Sequence, residues 1–393
     1  MDKPLRILTV VDLPWDPRLG RARAYIELAN QWRSAGHIVE KFCLTDAFPI
    51  PAKSQGVSAL REILFAYRAA SYVRRNASRF DVIDALIGTL PFSKTNLRFE
   101  GLLVGRSVGL YGPYEKFFRF SRKRWSDQPR GKILGRFSYK LKRRWLHRNS
   151  DRAVRSCDLL NLPNDDEVEF LRETPFRKKP AIVQPYGLNE QERTAFASAM
   201  QPAEVRLKKR EVCFVGMWGL RKGARDWAEI IRQVRNAIPD AQFTFLGTMT
   251  DEATVLKDLH LSRRDGVRCV TTYNPEDLPG LLAPCAVGLF PSYIEGFGLA
   301  VLEQIACGIP TVAYDVSGPR EILKTERETL LTPEGDPKAI AERAVKILRM
   351  NPNEYAQLSH QCSVIADHFR WEQIASNTAR EYAVALLRAR QTE

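Results

Sequence analysis

The 393-residue chain has few of the groups on which many catalytic chemistries depend. Its five histidines, His37, His147, His260, His360 and His368, lie in unrelated contexts, and none joins a Cys/His cluster of metal-ligand spacing. The seven cysteines (43, 157, 213, 269, 285, 307 and 362) are scattered and never form C-x-x-C, which argues against a zinc ribbon or disulfide framework and for reduced, buried thiols. G-x-G-x-x-G is also missing. The opening strand RILTVV (6 to 11), the loop from Asp12 and the helix from Arg21 to Ser34 carry a single glycine, Gly20, where a dinucleotide fold has three, which argues against an NAD dehydrogenase. No run of about eighteen apolar residues occurs, and MDKPLRILTVV enters a strand without a signal-peptide apolar core. The expectation is a cytoplasmic protein that does not span a membrane.

What is present describes an α/β chain. A hydrophobic content of 44% over this length is enough for two to three domains with sizeable cores. Strands are read at 6–11, IVEKFCL after the Gly36-His37 turn, DVIDALI (81–87), LLVGR (102–106) and 159–163, with Asn164, Asp165 and Asp166 capping a helix. A polar stretch from Asn189 to Arg210, ending in RLKKR, separates this pattern from a second one beginning at Glu211. The strand AQFTFLG (241–247) continues that second pattern, and alternating strands and helices imply parallel sheets.

Two segments carry chemistry. In PSYIEGFGLAVLEQIACGIPTVAYDVSGPREIL (291–323), a short buried strand ends at Phe290, and Gly296 and Gly298 let the following loop turn tightly. A helix runs from about Leu299 until Gly308 and Pro310 stop it. The amides of Phe297, Gly298 and Leu299 would face out of the helix N-terminus towards an anionic or oxygen-rich group. Glu295 in the loop and Glu303 just over one turn inside the helix can reach different parts of one extended ligand, and carboxylates accept hydrogen bonds from sugar hydroxyls. After the strand TVAYD (311–315) comes a loop with Ser317 and Gly318, then a helix opening near Arg320. The second segment, EVCFVGMWGLRKGARDWAEII (211–231), reads as a buried strand, a glycine-rich loop carrying Arg221 and Lys222, and an amphipathic helix; such cations suit a diphosphate.

The 291–323 segment resembles the E-x7-E signature of family 4 retaining glycosyltransferases, and the resemblance extends over most of the chain. It implies an α/β GT-B fold, two Rossmann-like domains with parallel sheets facing across a cleft. By that resemblance residues 1–190 form an acceptor-binding domain with a basic insertion at about 115–150. Residues 206–368 form the nucleotide-sugar-binding domain, and a helix within 369–393 returns to the first domain. It places Glu295 by the donor sugar, Glu303 on the ribose hydroxyls, and Ser317 and Gly318 in the same pocket. Lys222, helped by Arg221, would stabilise the departing diphosphate. Gly216, Lys222 and Gly223 fit the family's G-R-x4-K-G pattern, but Met217 stands where its arginine belongs. Gly20 matches a first loop that comes near the donor phosphates. Many members carry a histidine after the strand at 102–106; here Val108 occupies that position and no histidine is carried over. Nor is there a D-x-D motif, so the expectation is transfer from a nucleoside-diphosphate sugar with no cofactor and no metal. Two routes to retention stay open, with Glu295 as nucleophile or with the leaving phosphate assisting a front-face attack. An epimerase or phosphorylase would share the fold, although no lysine site for pyridoxal phosphate is read. The main alternative is a catalytically weak homologue acting as a binding subunit.

The strongest charge feature runs from Arg119 to Arg148, where twelve lysines and arginines face one acid, Asp127. It includes Arg122, Lys123, Arg124, Lys140, Lys142, Arg143, Arg144 and Trp145. An anionic lipid surface, an acidic polysaccharide and a nucleic acid compete as partners. Ile133, Leu134, Phe137, Leu141 and Trp145 follow helical spacing with basic residues between them, which favours the cytoplasmic face of a membrane over nucleic acid and, with the resemblance, a glycan or lipid-linked acceptor.

Overall fold

The computed structural model describes residues 3–125, 133–262 and 265–391, with the side chains of 55, 133–142 and 390–391 outside that description. The chain divides into two compact units, Met1–Tyr186 with Trp371–Glu393, and Gly187–Arg370. Each is built on a six-stranded, wholly parallel sheet.

In the first unit the strands are β1 (Arg6–Val10), β2 (Ile38–Phe42), β3 (Val82–Leu86), β4 (Leu102–Arg106), β5 (Leu159–Leu162) and β6 (Ala181–Val183), in the order β2-β1-β3-β4-β5-β6. β3 and β4 are buried along their whole length, as parallel strands covered on both faces must be. Two of their residues are nevertheless charged. Arg106 and Asp84, both fully buried, pair at 2.5 Å. Tyr382, on the helix Trp371–Gln391, donates to Asp84 at 2.7 Å and accepts from Arg106 and Asn161. Thr378 and Ala375 of the same helix bond Gln184 and the indole of Trp32. A buried charge is tolerable only with such partners, so the network ties this helix to the sheet at a defined register.

In the second unit the strands are β7 (Glu211–Val215), β8 (Gln242–Leu246), β9 (Val267–Val270), β10 (Val287–Phe290), β11 (Thr311–Tyr314) and β12 (Leu331–Thr332), in the order β12-β11-β10-β7-β8-β9. This is the doubly wound order that reverses direction between its first strand, β7, and its fourth, β10. The interior is aromatic, with Trp227 against Phe245 at 4.7 Å and Phe214 beside both. The fully buried Arg206 donates to the carbonyls of Cys307 and Gly308, satisfying acceptors at the end of the helix Leu299–Ala306.

Several boundaries differ from the sequence reading. The strand read as IVEKFCL stops at Phe42, and Leu44–Ala47 forms one helical turn. The helix expected near Arg320 is also a single turn, Pro319–Ile322. β6 and β12, of three and two residues, were not anticipated, because strands that short carry no readable hydrophobic period.

Candidate active site

Because β7 and β10 are neighbours, the loops leaving their carboxyl ends lie side by side at the point where strand order reverses, the usual ligand position in an open α/β sheet. The first is the glycine-rich loop after Val215, whose Leu220–Lys222 forms a short 3-10 turn. The second runs from Pro291 to Gly298. They are pressed together: a Cβ on Gly223 would lie 2.2 Å from the carbonyl of Pro291, and the Tyr293 amide donates to the Arg221 carbonyl at 2.9 Å. A third loop, after β11, closes against the second, since a Cβ on Gly318 would lie 2.3 Å from the Phe297 carbonyl.

This packing brings Arg221, Lys222 and Glu295 into one cluster. The Glu295 Oε1 atom receives Arg221 Nη1 at 2.7 Å, Lys222 Nζ at 2.7 Å and the Ser292 hydroxyl at 2.5 Å. Arg221 also donates to the Ile294 carbonyl. Lys222 Nζ sits 4.3 Å from the centre of the Phe290 ring, and its stem passes Gly216. Burial pushes the Lys222 amine below its ordinary value, only partly offset by the Glu295 charge, with Arg221 adding to the depression and Glu303 opposing it. Burial alone would raise the Glu295 carboxyl; the charges of Lys222 and Arg221, with the bonds from Lys222 and Ser292, hold it below the usual carboxylate range instead. Thus one buried carboxylate is kept ionised between two cations, one of them a lysine that burial disfavours.

The remaining sequence-derived residues fall into two groups. Glu303 is buried on the helix Leu299–Ala306, within electrostatic reach of Lys222. Phe297 is buried with its ring against Phe369, Gly298 caps the helix at φ 92°, Leu299 opens it, and Ser317 and Gly318 sit in the adjoining loop. These lie on the helix and loops that adjoin the cluster. Gly20 lies in the first unit as the exposed first residue of the helix Gly20–Ser34, with no conformation that requires glycine. Met217 is 54% exposed, so the arginine position of the family pattern points to solvent while Arg221 turns inward onto Glu295.

Sequence reasoning missed Ser292 and Asp226. Asp226 accepts from both Tyr293 and Tyr314 at 2.8 Å, pinning the second loop to the start of the helix Trp227–Ala237. Neither residue has a spacing that signals its role; only the adjacency of β7, β10 and β11 creates it. Glu167 in the first unit was also missed. One of its oxygens accepts the Leu110 amide at 3.1 Å and the other is buried without a hydrogen-bond partner. Burial pushes this carboxyl up to about 7. Val108, at the position where many members of the resembled family carry a histidine, packs on the apolar cluster of Val11, Tyr25, Cys43 and Leu86.

Of the basic surface, Arg122, Lys123 and Arg124 are exposed in the last turn of the helix Tyr111–Arg124. Arg143, on the helix Ile133–Ser156, pairs with Glu115 at 3.1 Å, which Arg119 also contacts, so it joins two helices. Arg144 is exposed and Trp145 half-buried, while the side chains of Lys140 and Lys142 lie outside the described residues. Among the described residues, no His/Cys/Asp/Glu group is arranged to hold a metal ion, and no helix is long and apolar enough to cross a membrane.

Residues 209–350 match the family described as glycosyl transferases group 1. A curated relative, the D-inositol 3-phosphate glycosyltransferase of Arthrobacter sp. (strain FB24), is 28% identical over 207 residues, 49% of this chain and 48% of that protein. The chain spans less than half the length of the curated relatives it matches. Among solved structures, the sucrose-phosphate synthase of Thermosynechococcus elongatus aligns over 96% of this chain and 98% of its own with a TM-score of 0.72 at 20% identity. Anabaena HepE in complex with UDP-glucose aligns over 96% and 99% with a TM-score of 0.67 at 16% identity. At such identities these structures speak for the shared fold.

Proposed function

Residues 209–350 form a glycosyl transferases group 1 domain in a chain of GT4-like, GT-B architecture, and from that premise we propose that the protein moves a sugar from a nucleoside-diphosphate sugar to a hydroxyl. The observation that carries the reading is the convergence of Arg221, Lys222 and Glu295 at the reversal point between β7 and β10. Two inward cations there suit a diphosphate, and Arg221 supplies the charge that Met217 does not. The anomeric C–O bond to the diphosphate breaks with its electron pair leaving on phosphate, where Lys222 and Arg221 stabilise it. The acceptor oxygen forms the new bond at the same carbon with retention, and its proton leaves with the departing phosphate or to water. Glu303 holds the ribose, while Glu295 and the amides of Phe297, Gly298 and Leu299 orient the sugar beside Ser317 and Gly318. The chemistry is drawn entirely from protein groups, without a metal.

The acceptor is a glycan or lipid-linked hydroxyl in polysaccharide or glycoconjugate synthesis. The exposed run Arg122–Arg124 supports docking on an anionic membrane surface. Steady-state kinetics on two variants test the site. Glu303→Ala weakens donor binding chiefly through KM, whereas Glu295→Ala lowers kcat by about 100-fold or more, as loss of a group acting in the transition state does. Equal and negligible effects of both would remove the assignment.

A further inference from the structure

We propose that Glu295 is an internal competitor for the diphosphate site: its carboxylate holds Lys222 and Arg221 while no donor is bound, moves onto the sugar of an intact donor, and returns to the two cations after transfer, weakening the grip on spent nucleoside diphosphate. This rests on the reading of Arg221 and Lys222 as the diphosphate cations. Three donors, Arg221 Nη1, Lys222 Nζ and the Ser292 hydroxyl, converge on the single oxygen Oε1. A carboxylate oxygen shared between two cations takes the position that a phosphate oxygen would need. A diphosphate cannot bind both cations in this buried setting beside an unmoved carboxylate without strong like-charge repulsion, so the two anions exclude one another. A nucleotide sugar compensates the displaced carboxylate with sugar hydroxyls; a nucleoside diphosphate alone offers it nothing. The move is one of the side chain: Glu295 is only partly buried between the buried Ile294 and Gly296, while the backbone before it is fixed by Tyr293 on Asp226.

The test is titration calorimetry of wild type, Glu295→Gln and Ser292→Ala with UDP, GDP, ADP, their glucose conjugates and inorganic pyrophosphate. The near-isosteric Glu295→Gln removes the competing charge. It should bind the preferred nucleoside diphosphate and pyrophosphate about tenfold more tightly, which is about 1.4 kcal/mol, without a matching gain for the nucleotide sugar. Ser292→Ala, which removes one bond holding the carboxylate in place, should tighten the same two ligands about threefold. Unchanged or weaker diphosphate binding by folded Glu295→Gln overturns the proposal while leaving the diphosphate site intact. If that variant fails to fold, unchanged or weaker binding by Ser292→Ala overturns it equally. No binding of any nucleotide or pyrophosphate to any of the three proteins defeats the underlying site, and the inference with it.

Discussion

Gly223 fits the family's loop pattern and Gly20 is a donor-binding candidate by sequence, and the structure separates the two by geometry. Gly223 has φ 77° and faces the Pro291 carbonyl so closely that a Cβ would lie 2.2 Å from it, whereas Gly20 has an ordinary φ and nothing within 4 Å. Gly223→Ala must therefore strain the backbone and push the two cation-bearing loops apart; a loss of about 1–3 kcal/mol in stability, with weaker nucleotide binding, is expected from denaturant unfolding and calorimetry. Gly20→Ala should stay within about 0.5 kcal/mol of wild type. At this scale the sequence identifies chemical type better than partnership. Glu295 and Lys222 are recognisable because a glutamate beside two glycines and a lysine in a glycine-rich loop are unusual contexts. Ser292, which is hydrogen-bonded to Glu295, and Asp226, which is bonded to two tyrosines, look like ordinary loop residues until β7, β10 and β11 are laid side by side.

Elements were legible where they were long or strongly patterned. The helices opening at Gly20 and Leu299 and the buried strands β3, β4 and β10 follow from apolar runs bounded by glycine, proline or polar caps. What the pattern does not convey is how one element holds another. The helix Asp165–Arg172 grips the loop after β4 through Glu167, whose carboxyl burial has pushed from 4.5 up to about 7. In the folded protein Glu167 therefore keeps a proton that the unfolded chain releases between those values. Stability falls as pH rises from about 4.5 towards 7, and above 7 the buried charge costs about 3 kcal/mol. Glu167→Gln avoids that ionisation and can keep an acceptor for the Leu110 amide. Its thermal midpoint should exceed that of wild type at pH 8 and converge with it near pH 4; the same difference at both pH values would mean that Glu167 does not titrate as described.

At the scale of the molecule, two doubly wound sheets carry different duties. The second, with its loops after β7, β10 and β11, holds the assembled cation–carboxylate cluster and lies in the unit that contains the whole of the family match. The first, whose buried Asp84, Arg106 and Tyr382 network secures the helix Trp371–Gln391, carries the basic helix that gives the net charge of +14 its most concentrated expression. Two α/β patterns were readable from alternating strands and helices. The reversal of strand order between β7 and β10 was not, because strand neighbours in a parallel sheet are set by crossover packing rather than by sequence proximity. That reversal makes two loops, whose acid and bases lie more than seventy residues apart, into one site.

The central claim is a nucleoside-diphosphate-sugar site in the second unit, and thermal unfolding with UDP, GDP, ADP and their common sugar conjugates tests it most directly. A ligand present at one hundred times its dissociation constant adds about 2.7 kcal/mol to the folded state. The account predicts a clear upward shift with one nucleotide class, largely lost in Glu303→Ala. No shift with any nucleotide, or an undiminished shift in Glu303→Ala, would contradict it.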